Sequence, residues 1–283
     1  MGNTVSLSIE SLVRSYRSGT SAYRLAKNNG CSVWSVITRL RKAGVEMRPD
    51  GVPKSLIMTV DQGKTFDSLN TGLLLGDASI NGNQTDRTEK CFLRMEQSDR
   101  RRGWLDQVQA TYVGLGVYVN VIPVKPKSKV AEIDGRRITS GPSSLLYTGV
   151  SDEFRELRRK WYPKDGMKRV PTDVKLDALS VAMWLCGDGS SNGVAAGQII
   201  FYTNGFLKKD VELLSRNLEM DLGVENNIRR HVRQNEWVIA TGGRDATVLL
   251  RDLVFPYVPE CCLYKFKHVR RSIPSNGGQS RQA

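Results

Sequence analysis

Histidine is almost missing from this 283-residue chain, which holds only His231 and His268. That scarcity excludes a zinc cluster built on several histidines and argues against a Ser-His-Asp nucleophile. Both histidines read as surface or phosphate-facing side chains. The five cysteines (Cys31, Cys91, Cys186, Cys261, Cys262) contain no CxxC pair. They read as reduced, partly buried thiols of a cytosolic-type protein rather than a disulfide frame or a zinc site. No apolar stretch approaches the ~20 residues that cross a bilayer, and the amino terminus shows no signal-peptide core. The expected place is therefore the cytoplasm or an organellar matrix, with no membrane partner and no secretion. Carboxylates and lysines are left to carry any chemistry.

Acidic residues are also in the minority. Lys and Arg number 42 against 29 Asp and Glu, a formal charge of +13. Such an excess favours a polyanion, and nucleic acid is the commonest one. The length allows one or two domains with real cores.

Residues 1–48 read as a separate all-α module. Leu7 to Tyr16 has helical spacing, Ser21 to Asn28 forms a second short helix before Gly30, and Ser32 caps a third over Val33–Lys42. A short helix, a Gly-containing turn and a helix bearing Ser35, Thr38, Arg39, Arg41 and Lys42 is the helix-turn-helix order. The first fifty residues hold eight basic and three acidic residues, so charge and turn agree on DNA, with Ser35, Arg39 and Arg41 as contacts. The competing reading is an ordinary three-helix packing unit with a polar face.

Residues 49–64, with Pro53, Gly51 and Gly63, read as a linker. The main body follows as a duplicated plan, with a first half over 65–165 and a second over 166–271. Each half reads α-β-β-α-β-β-α. In the first, strand 89–97 alternates Cys91, Leu93 and Met95 against Lys90, Phe92, Arg94 and Glu96. Helix 101–115, strands 117–124 and 144–150 and helix 153–161 complete it, with a basic loop over 125–137. The second half has helix 176–187, strand 198–203, helix 208–222, strands 226–233 and 236–241 and helix 244–253. Residues 272–283 read as a disordered tail. The fold class is α+β. One face of the strand pairs carries Lys90, Arg94, Arg229, Arg230 and Arg233, which suits either a groove for a duplex or a solvated sheet face.

Each half begins with an apolar helix that ends in Gly-Asp. The first runs Asn70-Thr71-Gly72-Leu73-Leu74-Leu75-Gly76-Asp77-Ala78, and the second runs Val181-Ala182-Met183-Trp184-Leu185-Cys186-Gly187-Asp188-Gly189. The aspartates are 111 residues apart, about one small domain. Gly72 and Gly76, with Ala182 and Gly187, let two helices approach with their backbones nearly touching. Packed side by side, the helices would bring Asp77 and Asp188 together, a place to hold divalent cations.

These two nonamers, with Phe201-Tyr202-Thr203-Asn204-Gly205-Phe206, Lys168-Arg169-Val170-Pro171 and Cys262-Leu263-Tyr264-Lys265-Phe266, resemble the LAGLIDADG homing endonucleases of the single-chain, double-motif kind. The likeness covers about residues 65–270. The sixth motif residue, usually aspartate in the family, is Leu75 in one copy and Cys186 in the other, a position the family varies. The resemblance implies two pseudosymmetric halves whose antiparallel sheets saddle the major groove of double-stranded DNA. It implies that Asp77 and Asp188, with the carbonyls of Gly76 and Gly187, bind Mg²⁺, for which Mn²⁺ or Ca²⁺ substitutes in binding. It further implies cutting of both strands to leave 3′ overhangs. Lys168 and Lys265 match the family's basic residues near the metals, their alternative being phosphate contact. Gln97 and Asn204 match its polar water-orienting positions, with a base or sugar contact as the alternative.

The leading expectation is a monomeric, site-specific DNA endonuclease with a long asymmetric target and an added amino-terminal helix-turn-helix module. The alternatives are an RNA maturase that binds intron RNA and a DNA-binding regulator without nuclease activity. Retention of both Gly-Asp pairs favours the enzyme. A recombinase would need a catalytic Ser or Tyr motif that the chain does not display.

Overall fold

Helix starts are written into the chain by its capping residues. Ser21 and Ser32 accept from the backbone N–H three residues on, at 3.1 Å each, and open α2 (Ala22–Asn28) and α3 (Val33–Lys42). With α1 (Ile9–Arg17) they enclose a small core of Leu12, Tyr16, Leu25, Ala26, Val36, Leu40 and Val45. The computed structural model describes residues 8–17, 20–47, 55–82, 90–124, 130–133, 136–139, 141–163, 166–191, 197–231 and 236–269. The chain divides into two compact units, Met1–Pro53 and Lys54–Ala283. The expected tail at 272–283 lies outside the described residues.

In the larger unit, Thr59 and Gln62 form a reciprocal capping box that starts α4 at Val60. The last five residues of the expected linker are therefore the first turn of α4 (Val60–Leu75). Asp177 and Ser180 make the same device at the start of α7 (Ala178–Asp188). From Ser180 to Gly187 every residue of α7 is buried, as a helix must be when it is apolar on all sides.

The first half continues with β1 (Ser79–Asn81), β2 (Phe92–Ser98), α5 (Arg102–Gly114), β3 (Val119–Val124), β4 (Val130–Ile133), β5 (Arg136–Thr139), β6 (Ser143–Thr148) and α6 (Asp152–Trp161). The second continues with β7 (Gly189–Ser191), β8 (Ile199–Tyr202), α8 (Lys208–Leu222), β9 (Asn226–His231), β10 (Glu236–Thr241) and α9 (Arg244–Val254). The fold is α+β, with two antiparallel four-stranded sheets, β1-β2-β6-β3 and β7-β8-β10-β9, in the same spatial order. The expected loop over 125–137 is in part a two-stranded hairpin, β4 paired with β5. A 3₁₀ segment over Glu260–Phe266, which local pattern did not announce, closes the body.

The core lies between sheets and helices, with Trp104, Trp161, Trp184, Tyr112, Phe154 and Phe201 as its largest fully buried side chains. Trp184 stacks on Phe201 at 4.2 Å between ring centroids, which fastens α7 to its own sheet. Buried Asn70 is satisfied within the core, accepting from the Tyr112 hydroxyl at 2.7 Å and donating to the Phe66 carbonyl. Among the described residues no helix is long and apolar enough to cross a membrane.

A paired-acid candidate active site

Glycine spacing on α4 and α7 sets the geometry of the site. A methyl placed on Gly72 would fall 2.1 Å from the Ser180 carbonyl oxygen and 2.7 Å from Met183 Cβ. One turn on, a methyl on Gly187 would lie 3.0 Å from Gly76 Cα and 3.2 Å from Asp77 N. The two helices therefore touch backbone to backbone where each ends in its aspartate. Gly72 meets Ser180 and Met183 of the facing helix, and Gly76 meets Gly187. Asp77 follows the last turn of α4, and Asp188 is the last residue of α7.

Crowding two acids has an electrostatic signature. The Asp188 carboxyl is pushed up to about 6, first by burial and then by the charge of Asp77. Asp77 has direct partners from its own half. Gln97 Nε2 donates to Asp77 Oδ2 at 2.7 Å, and the Arg101 guanidinium stands 3.6 Å from the same oxygen. Arg101 also crosses to the other half, donating to the Cys186 carbonyl at 3.2 Å.

The two lysines occupy matching places at the helix ends. Lys168 Nζ donates to the carbonyls of Leu74 (2.8 Å), Ala78 (3.2 Å) and Gly76 (3.3 Å). Lys265 Nζ donates to those of Gly189 (2.6 Å) and Gly187 (3.0 Å). Each ammonium satisfies carbonyls that a helix terminus leaves without partners. Lys265 is buried and Lys168 half-buried. Burial lowers the pKa of both; the aspartates oppose the shift for Lys168, and the Arg101 charge adds to it for Lys265.

Among the described residues, Asp188 has no side-chain contact matching those that Gln97 and Arg101 make with Asp77. Ser79, two residues after Asp77, pairs with Arg94, and Gly189, one residue after Asp188, pairs with Phe201. Continuing the first register by one residue makes Met95 the equivalent of Phe201 and Thr203 the counterpart of Gln97. Helix starts agree: Arg101 is the N-cap of α5 and Leu207 the N-cap of α8, each four residues beyond those positions. Thr203 is buried and donates to the Trp237 carbonyl. Asn204, expected at the place of Gln97, is exposed in the turn after β8, because alternation along the chain puts Thr203 rather than Asn204 on the buried side with Ile199 and Phe201.

The candidate DNA contacts divide by strand parity. Arg94 is exposed on β2, 3.6 Å from Glu96, and shares a face with Ser79 and Tyr147; Lys90 is exposed just ahead of the strand. Arg229 pairs with Val238 and donates to Gln198 at 3.0 Å. Arg230 pairs with Trp237, and successive strand residues point to opposite faces. Arg229 and Arg230 therefore do not share one face as expected. Arg233 lies outside the described residues. Ser35 is half-buried and Arg39 and Arg41 are exposed on α3 of the smaller unit.

Arg101 escaped the reading of the sequence. Its signal was Arg100-Arg101-Arg102 at the start of a helix, where cations oppose the helix dipole and imply another use.

The donor set suits a hard divalent cation that takes the rest of its shell from elsewhere. Two carboxylates repel one another, and the described residues hold no cluster of three or more metal-ligating side chains. Mg²⁺ is commonly bound through one or two carboxylates, with waters and substrate phosphates completing the octahedron. The Gly76 and Gly187 carbonyls each already accept from a lysine, and a carbonyl oxygen has two lone pairs.

A profile described as the LAGLIDADG DNA endonuclease family matches residues 68–249. Uncharacterized protein MJ1098 of Methanocaldococcus jannaschii is 30% identical over 222 residues, covering 75% of this chain and 78% of that protein. Among solved structures, the homing endonuclease I-WcaI bound to its DNA recognition sequence superimposes with a TM-score of 0.57 at 17% identity, covering 80% of this chain and 97% of that one. An I-DmoI variant in complex with its target DNA covers 69% of this chain and 98% of its own, at 13% identity and a TM-score of 0.45.

Proposed function

This chain belongs to the LAGLIDADG DNA endonuclease family, and from that premise we propose that it cuts both strands of a long, asymmetric DNA target at the Asp77–Asp188 centre. The observation that carries this reading is the backbone contact of Gly76 with Gly187, which brings two acids from different halves to one point. One chain supplies both acids, so a monomer suffices. The halves differ in sequence, so the target need not be a palindrome.

Asp77 and Asp188 would hold divalent cations, Mg²⁺ first among them. When bound there, such ions neutralise phosphate charge and activate water for phosphodiester hydrolysis. Gln97 fixes the orientation of Asp77 through its amide, and Arg101 adds a positive charge beside the same oxygen. Lys168 and Lys265 hold the two helix ends against the acids. Strand breakage at staggered positions would leave 3′ overhangs. The exposed faces of β2, β6, β8 and β9 would lie along the duplex, with Lys90, Arg94 and Arg229 on phosphates or bases. The amino-terminal unit would act as a helix-turn-helix that adds affinity outside the cut, by effective concentration rather than by chemistry.

The test uses Asp77→Asn and Asp188→Asn in the full chain, with a random-sequence duplex library and Mg²⁺. Gel shifts should show binding retained while double-strand cutting disappears, and sequencing of wild-type ends should show 3′ overhangs. Normal cutting of both strands by either variant would overturn the assignment.

A further inference from the structure

The smaller unit displays aromatic side chains to solvent. Trp34 is 75% exposed and Tyr23 68%, the two most exposed aromatics among the described residues. Val36 and Leu40 of α3 point into the core. Trp34, Thr38 and Arg41 follow the i, i+4, i+7 spacing of one stripe on the outward side. Arg24 and Lys27 on α2, and Arg39 and Lys42 on α3, are exposed around it. Residues 11–45 contain seven Lys and Arg and no Asp or Glu. Glu10 and Glu46 flank that segment and leave the unit strongly net positive.

That combination selects its partner. An uncompensated cationic surface needs a polyanion. A membrane-surface helix needs a broad apolar face, whereas the outward stripe of α3 carries one apolar side chain among polar and charged ones. A ten-residue helix is about 15 Å long, and the major groove is about 12 Å wide and admits a helix. The indole at the second position of α3 is where a recognition helix meets base edges.

We propose that α3 is a second duplex-docking surface in which Trp34 is the apolar anchor against base edges, Thr38 and Arg41 extend the contact, and Arg24 and Lys27 meet the backbone. The proposal rests on reading the chain as a DNA endonuclease, but it does not involve the paired acids.

Fluorescence of the full chain provides the test. Trp104, Trp161 and Trp184 are fully buried and Trp237 is half-buried, so the difference between wild type and Trp34→Phe isolates the exposed indole. Without divalent cation, saturating random-sequence duplex should reduce acrylamide quenching of that component at least about threefold. Trp34→Ala should weaken duplex affinity about tenfold with an unchanged slope of log K against log salt. Arg41→Ala should lower that slope by about one. Unchanged quenching in saturating duplex, or wild-type affinity of Trp34→Ala, would overturn the proposal. So would shielding by phosphatidylglycerol vesicles, or by the protein's own concentration, without shielding by duplex. Wild-type cutting with an unshielded Trp34 rejects this surface alone, whereas a shielded Trp34 in a protein that cuts no library member supports it and rejects the proposed function.

Discussion

Alanine at Gly72 and alanine at Gly63 should have opposite effects, although both replace glycine within α4. At Gly63 the new methyl meets nothing within 4 Å, so only the backbone term acts. Removing a first-turn glycine there should stabilise by up to about 0.5–1 kcal/mol, the full value for a helix interior. At Gly72 the methyl falls 2.1 Å from a backbone oxygen of α7. Contact needs a little over 3 Å, so the helices must part by about 1 Å, and a backbone atom cannot swing aside. Overpacking of this kind costs about 1–3 kcal/mol or more, against which the helix gains about 1 kcal/mol. The net is a loss of up to about 2 kcal/mol, which places the two variants up to about 3 kcal/mol apart. For a unit of this size that upper value is about 6–12 °C in Tm, readable by urea and thermal unfolding followed through buried Trp184. Parting the helices also moves Asp77 away from Asp188, and a 1 Å misplacement costs about a hundredfold in rate. Gly63→Ala should cut DNA like wild type. Equal stability of the two variants, or full cutting by Gly72→Ala, would refute the claim that direct backbone contact sets the acid pair.

Two further outcomes concern the acids themselves. Because the Asp188 carboxyl rises from its ordinary 3.8 to about 6, the folded chain keeps a proton that the unfolded chain has already released. The group's contribution to metal-free stability therefore falls as pH rises from about 4 to 6 and is flat above, and Mg²⁺ affinity climbs across the same window. Asp188→Asn should remove that dependence in pH-stepped urea unfolding; an identical pH profile in wild type and variant would contradict it. The second outcome follows from Arg101 and Gln97 having only Leu207 and Thr203 as counterparts. The strand served by the Asp188 centre should be cut more slowly, so supercoiled plasmid should pass through an open circle. Arg101→Leu should slow the other strand by about a hundredfold, the usual loss for one preorganised donor. Direct conversion of wild-type substrate to linear product, with no nicked form, would exclude this inequivalence.

The readable parts of the chain were the local ones. Gly72, Gly76 and Gly187 with their aspartates announced two close helices because helix period acts over a few neighbours. The boundaries of α2 and α3 followed from serine caps and apolar spacing, and the expected helix 208–222 is α8 residue for residue. The alternation of Cys91, Leu93 and Met95 gave the facing of β2, and the structure buries all three. Other features had no local trace. Three-residue strands such as β7 are too short to show a period, and the start of α4 needed the Thr59–Gln62 pair to be seen as a cap rather than as linker polarity.

The sequence alone determined which helices would meet, that acids would stand at their ends and that the surface would attract a polyanion. Those properties reside in composition and in residues one or two turns apart. Tertiary structure decided that Arg101 reaches Cys186 across 85 positions and that Thr203 rather than Asn204 faces the second acid's side of the strand. Each of those depends on register or on packing between halves, where a shift of one residue reverses the direction of a side chain.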